Sequence, residues 1–128
     1  MKNKIKLINS ESVLGRRHES FIIDEINKRK FFKWMTHRGL DYDELMFIFE
    51  SKKIDDEMRL KFNMALLDGR EELGIEICDM IVFMEQVFSK FKRILNALDG
   101  EIYYQVKVEM AERFKIHLDK SSWDEMDE

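Results

Sequence analysis

Between residues 71 and 98 the apolar side chains fall in a pattern that a helix satisfies and a strand does not. Leu73, Ile77, Met80, Met84, Val87, Phe91, Ile94 and Leu98 alternate spacings of four and three without a miss, the signature of one helical face. Ile81, Phe88 and Leu95 widen that stripe, while Glu72, Asp79, Gln86 and Arg93 line the far side. An unbroken helix with this pattern has a stripe roughly 39 Å long at about 1.5 Å per residue. The width of the stripe predicts the long central helix of a bundle, with the rest of the chain packed over it. A seam of the same spacing also serves a coiled coil, so a homodimer through 71–98 is the alternative use.

The remaining segments read as helices that cover this one. The 128 residues contain no proline, so glycines and caps must set the boundaries. Glycines at 39, 69, 74 and 100 read as helix punctuation. Residues 17–38 carry no turn signal and are expected to be helical, with a bend where Asn27-Lys28-Arg29-Lys30 interrupts the apolar residues. In Leu40-Asp41-Tyr42-Asp43-Glu44-Leu45, Asp41 and Glu44 form a capping box and Leu40 and Leu45 a hydrophobic staple. Tyr42, Leu45, Met46 and Phe49 then share one face of a short helix. Asp55 or Asp56 caps the next, whose core positions are Met58, Phe62, Ala65 and Leu66 and whose end is expected at Asp68-Gly69. Residues 101–118 place Tyr103, Val106, Met110, Phe114 and His117 at helical spacing. The β-branched and aromatic content of 101–108 also suits a minor two-stranded ribbon with residues 4–8. The expected fold is all-α: a single-domain bundle of about five helices over residues 1–118, followed by an acidic tail at 119–128.

Several kinds of chemistry are excluded. At 45% hydrophobic and 38% charged, the chain is too apolar for a disordered protein and too charged for a membrane protein. The apolar run at 75–84 contains Glu76 and Asp79 and is far short of the roughly 20 residues that span a bilayer. The opening MKNKIKLI lacks the apolar stretch of a secretory signal, so a soluble, cytoplasmic protein is expected. One cysteine rules out an internal disulfide or a zinc site built from cysteine pairs. Cys78 has no basic neighbour in sequence and is expected to be inert. His18, His37 and His117 lie far apart, and no Glu-x-x-His pair accompanies them. No glycine-rich phosphate loop occurs. A helix-turn-helix over 31–67 is opposed by Asp55-Asp56-Glu57, which would present acids to DNA phosphates.

Glu72, Glu76 and Asp79 stand at i, i+4 and i+7 of the expected central helix. Glu76-Ile77-Cys78-Asp79, followed by Met-Ile-Val-Phe-Met, resembles the E-x-x-D helix of the all-α nucleoside triphosphate pyrophosphohydrolases related to MazG. That resemblance implies Mg²⁺ held by Glu72, Glu76 and Asp79 and bridging a triphosphate, since Mg²⁺ favours carboxylate and phosphate oxygens. The family's preceding E-x-x-E helix has no counterpart here, where only Asp55, Asp56 and Glu57 occur, and Asp41-x-x-Glu44 is already explained by capping. A solvated helix surface is the competing account of the same three acids.

The charge distribution points elsewhere. Residues 1–40 hold ten Lys/Arg against four Asp/Glu, whereas 41–128 hold twelve against twenty-two. Within the basic part, Lys28, Arg29, Lys30, Lys33, Trp34 and Arg38 form a cationic-aromatic segment that can dock an acidic surface with an aromatic anchor. The competing reading makes its aromatics core and its cations a solvated rim. With no catalytic constellation, cofactor or metal motif in prospect, the expected function is that of a small non-catalytic regulatory or adaptor protein that binds another protein. Scarce Ala, Gly and Pro beside plentiful Lys, Ile and Phe suggest an AT-rich genome, as of a phage or mobile element that modulates a host machine. Direct nucleic-acid binding through 16–38 is the alternative, and the Mg²⁺-dependent hydrolase ranks third.

Overall fold

The computed structural model describes residues 18–118, with side chains from residue 24 onward. Six helices follow one another: α1 (His18–His37), α2 (Tyr42–Glu50), α3 (Asp56–Leu73), α4 (Ile77–Phe88), α5 (Phe91–Asn96) and α6 (Gly100–Phe114). Among the described residues there is no strand, and 101–108 lie within α6. The all-α bundle is therefore the fold and the ribbon is not part of it; residues 4–8, like the tail at 119–128, lie outside the described residues. No described helix is long and apolar enough to cross a membrane.

α1 is helical through Asn27–Lys30 without interruption and ends where Gly39 turns left-handed at φ +85°. The Leu40 amide donates to the Met35 carbonyl at 2.8 Å and the Gly39 amide to Thr36 at 3.0 Å. Those two bonds close a Schellman motif, with Leu40 and Met35 as its buried apolar pair. The next two starts follow local side-chain chemistry. Asp41 Oδ1 accepts from the Glu44 amide at 3.0 Å, and Asp55 Oδ1 from the Met58 amide at 3.0 Å. Leu40 and Leu45 of the staple are both buried.

The central element differs from its sequence pattern. Gly69 does not stop α3, which runs to Leu73 and is capped by left-handed Gly74. Residues 71–98 are accordingly not one helix. Gly74 breaks them first, and left-handed Ser89 (φ 57°) ends α4 a second time. The apolar phase survives both breaks, so Ile77, Met80, Met84, Ile94 and Leu98 are buried as the spacing requires. Past the second break, α5 packs against α4. α4 is only twelve residues long, yet nine of them are buried, which makes it hydrophobic nearly all round and the true centre of the bundle. α1, α3, α5 and α6 all pack on it. The extra break also accounts for six helices in place of five.

Side-chain bonds to the backbone, one of them from buried Asn63, tie the outer helices together. Asn63 Nδ2 donates to the carbonyls of Arg59 at 2.7 Å and Ala97 at 3.0 Å, and its Oδ1 accepts from the Asp99 amide at 2.9 Å. Both amide hydrogens are thus satisfied, and two of the three bonds fasten α3 to the turn between α5 and α6. Arg93 donates to the Glu50 carbonyl at 3.1 Å, a cation placed at the C-terminus of α2 where the helix dipole favours it. α6 stops at Phe114, short of residue 118. Lys115 is left-handed and the chain continues with Ile116 and Leu118 buried. His117 is exposed beyond the helix.

Candidate functional site

Two parts of the molecule gather the side chains singled out by the sequence. The first is the outer face of α1. Helical geometry puts Ile26, Arg29, Lys30 and Lys33 on one arc, and all four are exposed, whereas Lys28 is rotated inward and half-buried. No described carboxylate forms an ion pair with Arg29, Lys30 or Lys33.

Trp34 and Arg38 are rotated roughly a quarter to a third of a turn away from that arc and are engaged inside the fold. Trp34 Nε1 donates to the Ala65 carbonyl on α3 at 3.2 Å. The Arg38 guanidinium pairs with Asp68 at 2.8 Å and lies 5.1 Å over the Trp34 ring. Gly69 permits this approach, because a Cβ there would meet Trp34 Nε1 at 3.0 Å. The basic-aromatic segment is therefore divided by the helix into an outward cationic arc and an inward fastening.

The second part is the junction of α4 and α6. Glu72 is not in it. It belongs to the last turn of α3 and is exposed, while Gly74 redirects the chain before Glu76, so the i, i+4, i+7 alignment of the three acids does not exist. Glu76 and Asp79 instead converge on Arg113 of α6. Arg113 Nη1 stands 2.6 Å from Glu76 Oε1, 3.0 Å from Asp79 Oδ2 and 3.1 Å from Cys78 Sγ. Below them, Glu109 Oε1 accepts from the Cys78 amide at 3.1 Å and its Oε2 from Gln105 at 2.7 Å. Ligand atoms of Glu76, Cys78 and Asp79 lie within 4.8 Å of one another, as a metal site requires. Here the guanidinium is the cation that bridges them. Burial raises Asp79 above the ordinary aspartate range, with Arg113 pulling against it, and burial likewise pushes the Cys78 thiol far above its usual range. Hydrogen bonding and charge from Asp79 outweigh desolvation at Arg113, which stays cationic. A basic group thus does stand beside Cys78, contrary to its sequence neighbourhood, and burial outweighs its pull on the thiol.

Sequence reasoning missed Arg113 and Glu109 because they are recruited from 31 to 37 residues away. It also missed a groove between the end of α1, the start of α2 and the end of α4. Its volume is about 190 Å³, and Phe32, Thr36, Leu45, Tyr42, Val87 and Phe88 are among its walls. The one available signal was that Tyr42 and Val87 occupy apolar-stripe positions, yet they are 53% and 38% exposed. No family model, curated protein or solved structure matches the chain.

Proposed function

We propose that this chain is a small non-catalytic regulatory or adaptor protein that binds an acidic protein surface through the outward face of α1. The observation that carries this reading is the arc of Arg29, Lys30 and Lys33, exposed together and joined to no described carboxylate. Arg38 and Arg113, by contrast, are committed to internal carboxylates. Cations on a solvated helix face steer association electrostatically and contribute little to folding. A hydrolase reading is weaker on this geometry, since the two carboxylates that resemble the Mg²⁺ motif are neutralised by Arg113.

The test is the triple variant Arg29→Glu/Lys30→Glu/Lys33→Glu. Its circular dichroism spectrum and melting temperature should match those of the wild type. Proteins retained by immobilised wild type at low salt should be lost from the variant and eluted from the wild type as salt rises. A melting temperature well below wild type would show that the cations serve the fold and would sink the reading. Labelled oligonucleotides shifted by wild type near 50 mM salt, with affinity falling steeply as salt rises, would transfer the face to nucleic acid.

A further inference from the structure

We infer that the groove beside the cationic arc is an anchor pocket, and that it receives one aromatic side chain from an acidic protein segment. The inference rests on the preceding reading of α1 and adds a second, apolar determinant to it. The groove's volume of about 190 Å³ exceeds the ~150 Å³ of an apolar cavity that holds a benzene ring. Its walls are already in place. Tyr42 stacks on Phe88 with ring centroids 4.9 Å apart, and Phe88 meets Phe49 edge-on at 5.2 Å. Leu45 is buried beneath. Binding a ring there therefore immobilises little that is not already held, which is what makes a pocket an effective anchor.

Charge identifies the occupant. Phe32 and Thr36 form the α1 wall of the groove, and Arg29 and Lys33 each stand three residues before one of them. Side chains three apart on a helix are neighbours, so two exposed cations stand along the lip that Phe32 and Thr36 form. The opposite lip, at the N-terminus of α2, carries the exposed acids Asp41 and Asp43 beside Tyr42. A partner segment consequently lays its acids on the α1 side of its anchor and keeps them off the α2 side. Ring contacts, volume and charge are separate observations, and all three fit a segment in which a run of acids leads into one aromatic residue.

The experiment uses the full chain and a fluorescent synthetic peptide of four glutamates, one phenylalanine and two serines, in that order. A second peptide replaces the phenylalanine with serine. Fluorescence anisotropy should show the aromatic peptide binding at least about tenfold more tightly than the serine peptide. Amide resonances of Thr36, Tyr42 and Val87 should shift only with the aromatic one. Thr36→Trp, which fills the groove from an exposed position, should weaken the aromatic peptide by a similar factor, and Val87→Glu should do the same should the tryptophan disturb folding. Arg29→Glu/Lys33→Glu should weaken both peptides and flatten the salt dependence.

Equal binding of the two peptides, lost on charge reversal and indifferent to Thr36→Trp and Val87→Glu, would overturn the pocket and leave the cationic face standing. Aromatic-dependent binding indifferent to charge reversal would overturn the acidic partner. No binding of either peptide would overturn the anchor pocket, and the cationic face would then stand or fall on the triple variant above. A wild-type dimer dispersed by Thr36→Trp would assign the groove to a second copy of the chain. An oligonucleotide shift abolished by the same variant would assign it to a stacked base.

Discussion

Gly69 lies inside α3, where helix propensity alone favours alanine by about 1 kcal/mol. Its environment reverses that preference. A Cβ would stand 3.0 Å from Trp34 Nε1 and 3.4 Å from Met80 Cε, so the indole must give way slightly, which strains its 3.2 Å bond to the Ala65 carbonyl. Gly69→Ala should therefore destabilise by about 1 kcal/mol instead of stabilising. Urea unfolding gives the sign, and displacement of the Trp34 indole N–H resonance gives the cause. Asp79 allows a second test at the same scale. Burial raises its pKa above the ordinary 3.8 in the folded chain. Between the ordinary and the raised value the folded state holds a proton that the unfolded state releases. The stability contributed by this group is therefore present below that window and lost as pH rises through it. Asp79→Asn should flatten that decline. The difference between wild-type and variant urea midpoints, followed upward in pH from the ordinary aspartate range, isolates it from the other acids.

At the scale of elements, the two breaks in 71–98 separate what a sequence declares locally from what only packing decides. The caps at Asp41 and Asp55 were legible because one short side chain bonds an amide three residues on. Arg29, Lys30 and Lys33 were visible only within a longer basic-aromatic segment, because sequence proximity does not separate them from half-buried Lys28 or from Trp34 and Arg38, which bond inside the fold. Gly69 was misleading, since composition does not distinguish a glycine that ends a helix from one that admits a neighbouring ring. Ser89 carried no signal at all: serine has no composition cue for the left-handed conformation with which it caps α4. Arg113 was illegible because the acids it pairs with belong to a helix more than 30 residues earlier. The Ser89 break is testable by sign. A left-handed non-glycine residue costs roughly 1–2 kcal/mol, so Ser89→Gly should gain up to about 1 kcal/mol after its own entropy is charged. Ser89→Ala should gain nothing. An unbroken helix would reverse that order, with alanine the better residue by about 1 kcal/mol. Paired thermal melts of the two variants decide between them.

For the molecule as a whole, the question is what the apolar stripe of 71–98 is used for. Within one chain Ile77, Met80, Met84 and Ile94 have no exposed surface, so these members of the seam are consumed by the bundle. Val87 belongs to the same stripe, one turn beyond Met84, but opens into the groove and is 38% exposed. Two neighbouring positions with one sequence signature should therefore behave oppositely. Met84→Asp buries an unpaired charge at the centre of α4, a cost of several kcal/mol. Against a domain stability of about 5–15 kcal/mol, that variant should be unfolded or molten. Val87→Asp leaves its charge in solvent and should shift stability by no more than about 0.5 kcal/mol. Near-ultraviolet circular dichroism separates the two outcomes. The wild-type melting temperature should also be independent of protein concentration, because a seam spent inside one chain does not couple folding to association. A concentration-dependent melt, together with a folded, monomeric Met84→Asp, would return the seam to an interface between chains. Opposite fates for Met84 and Val87 would locate the boundary between core and groove at a single turn of α4.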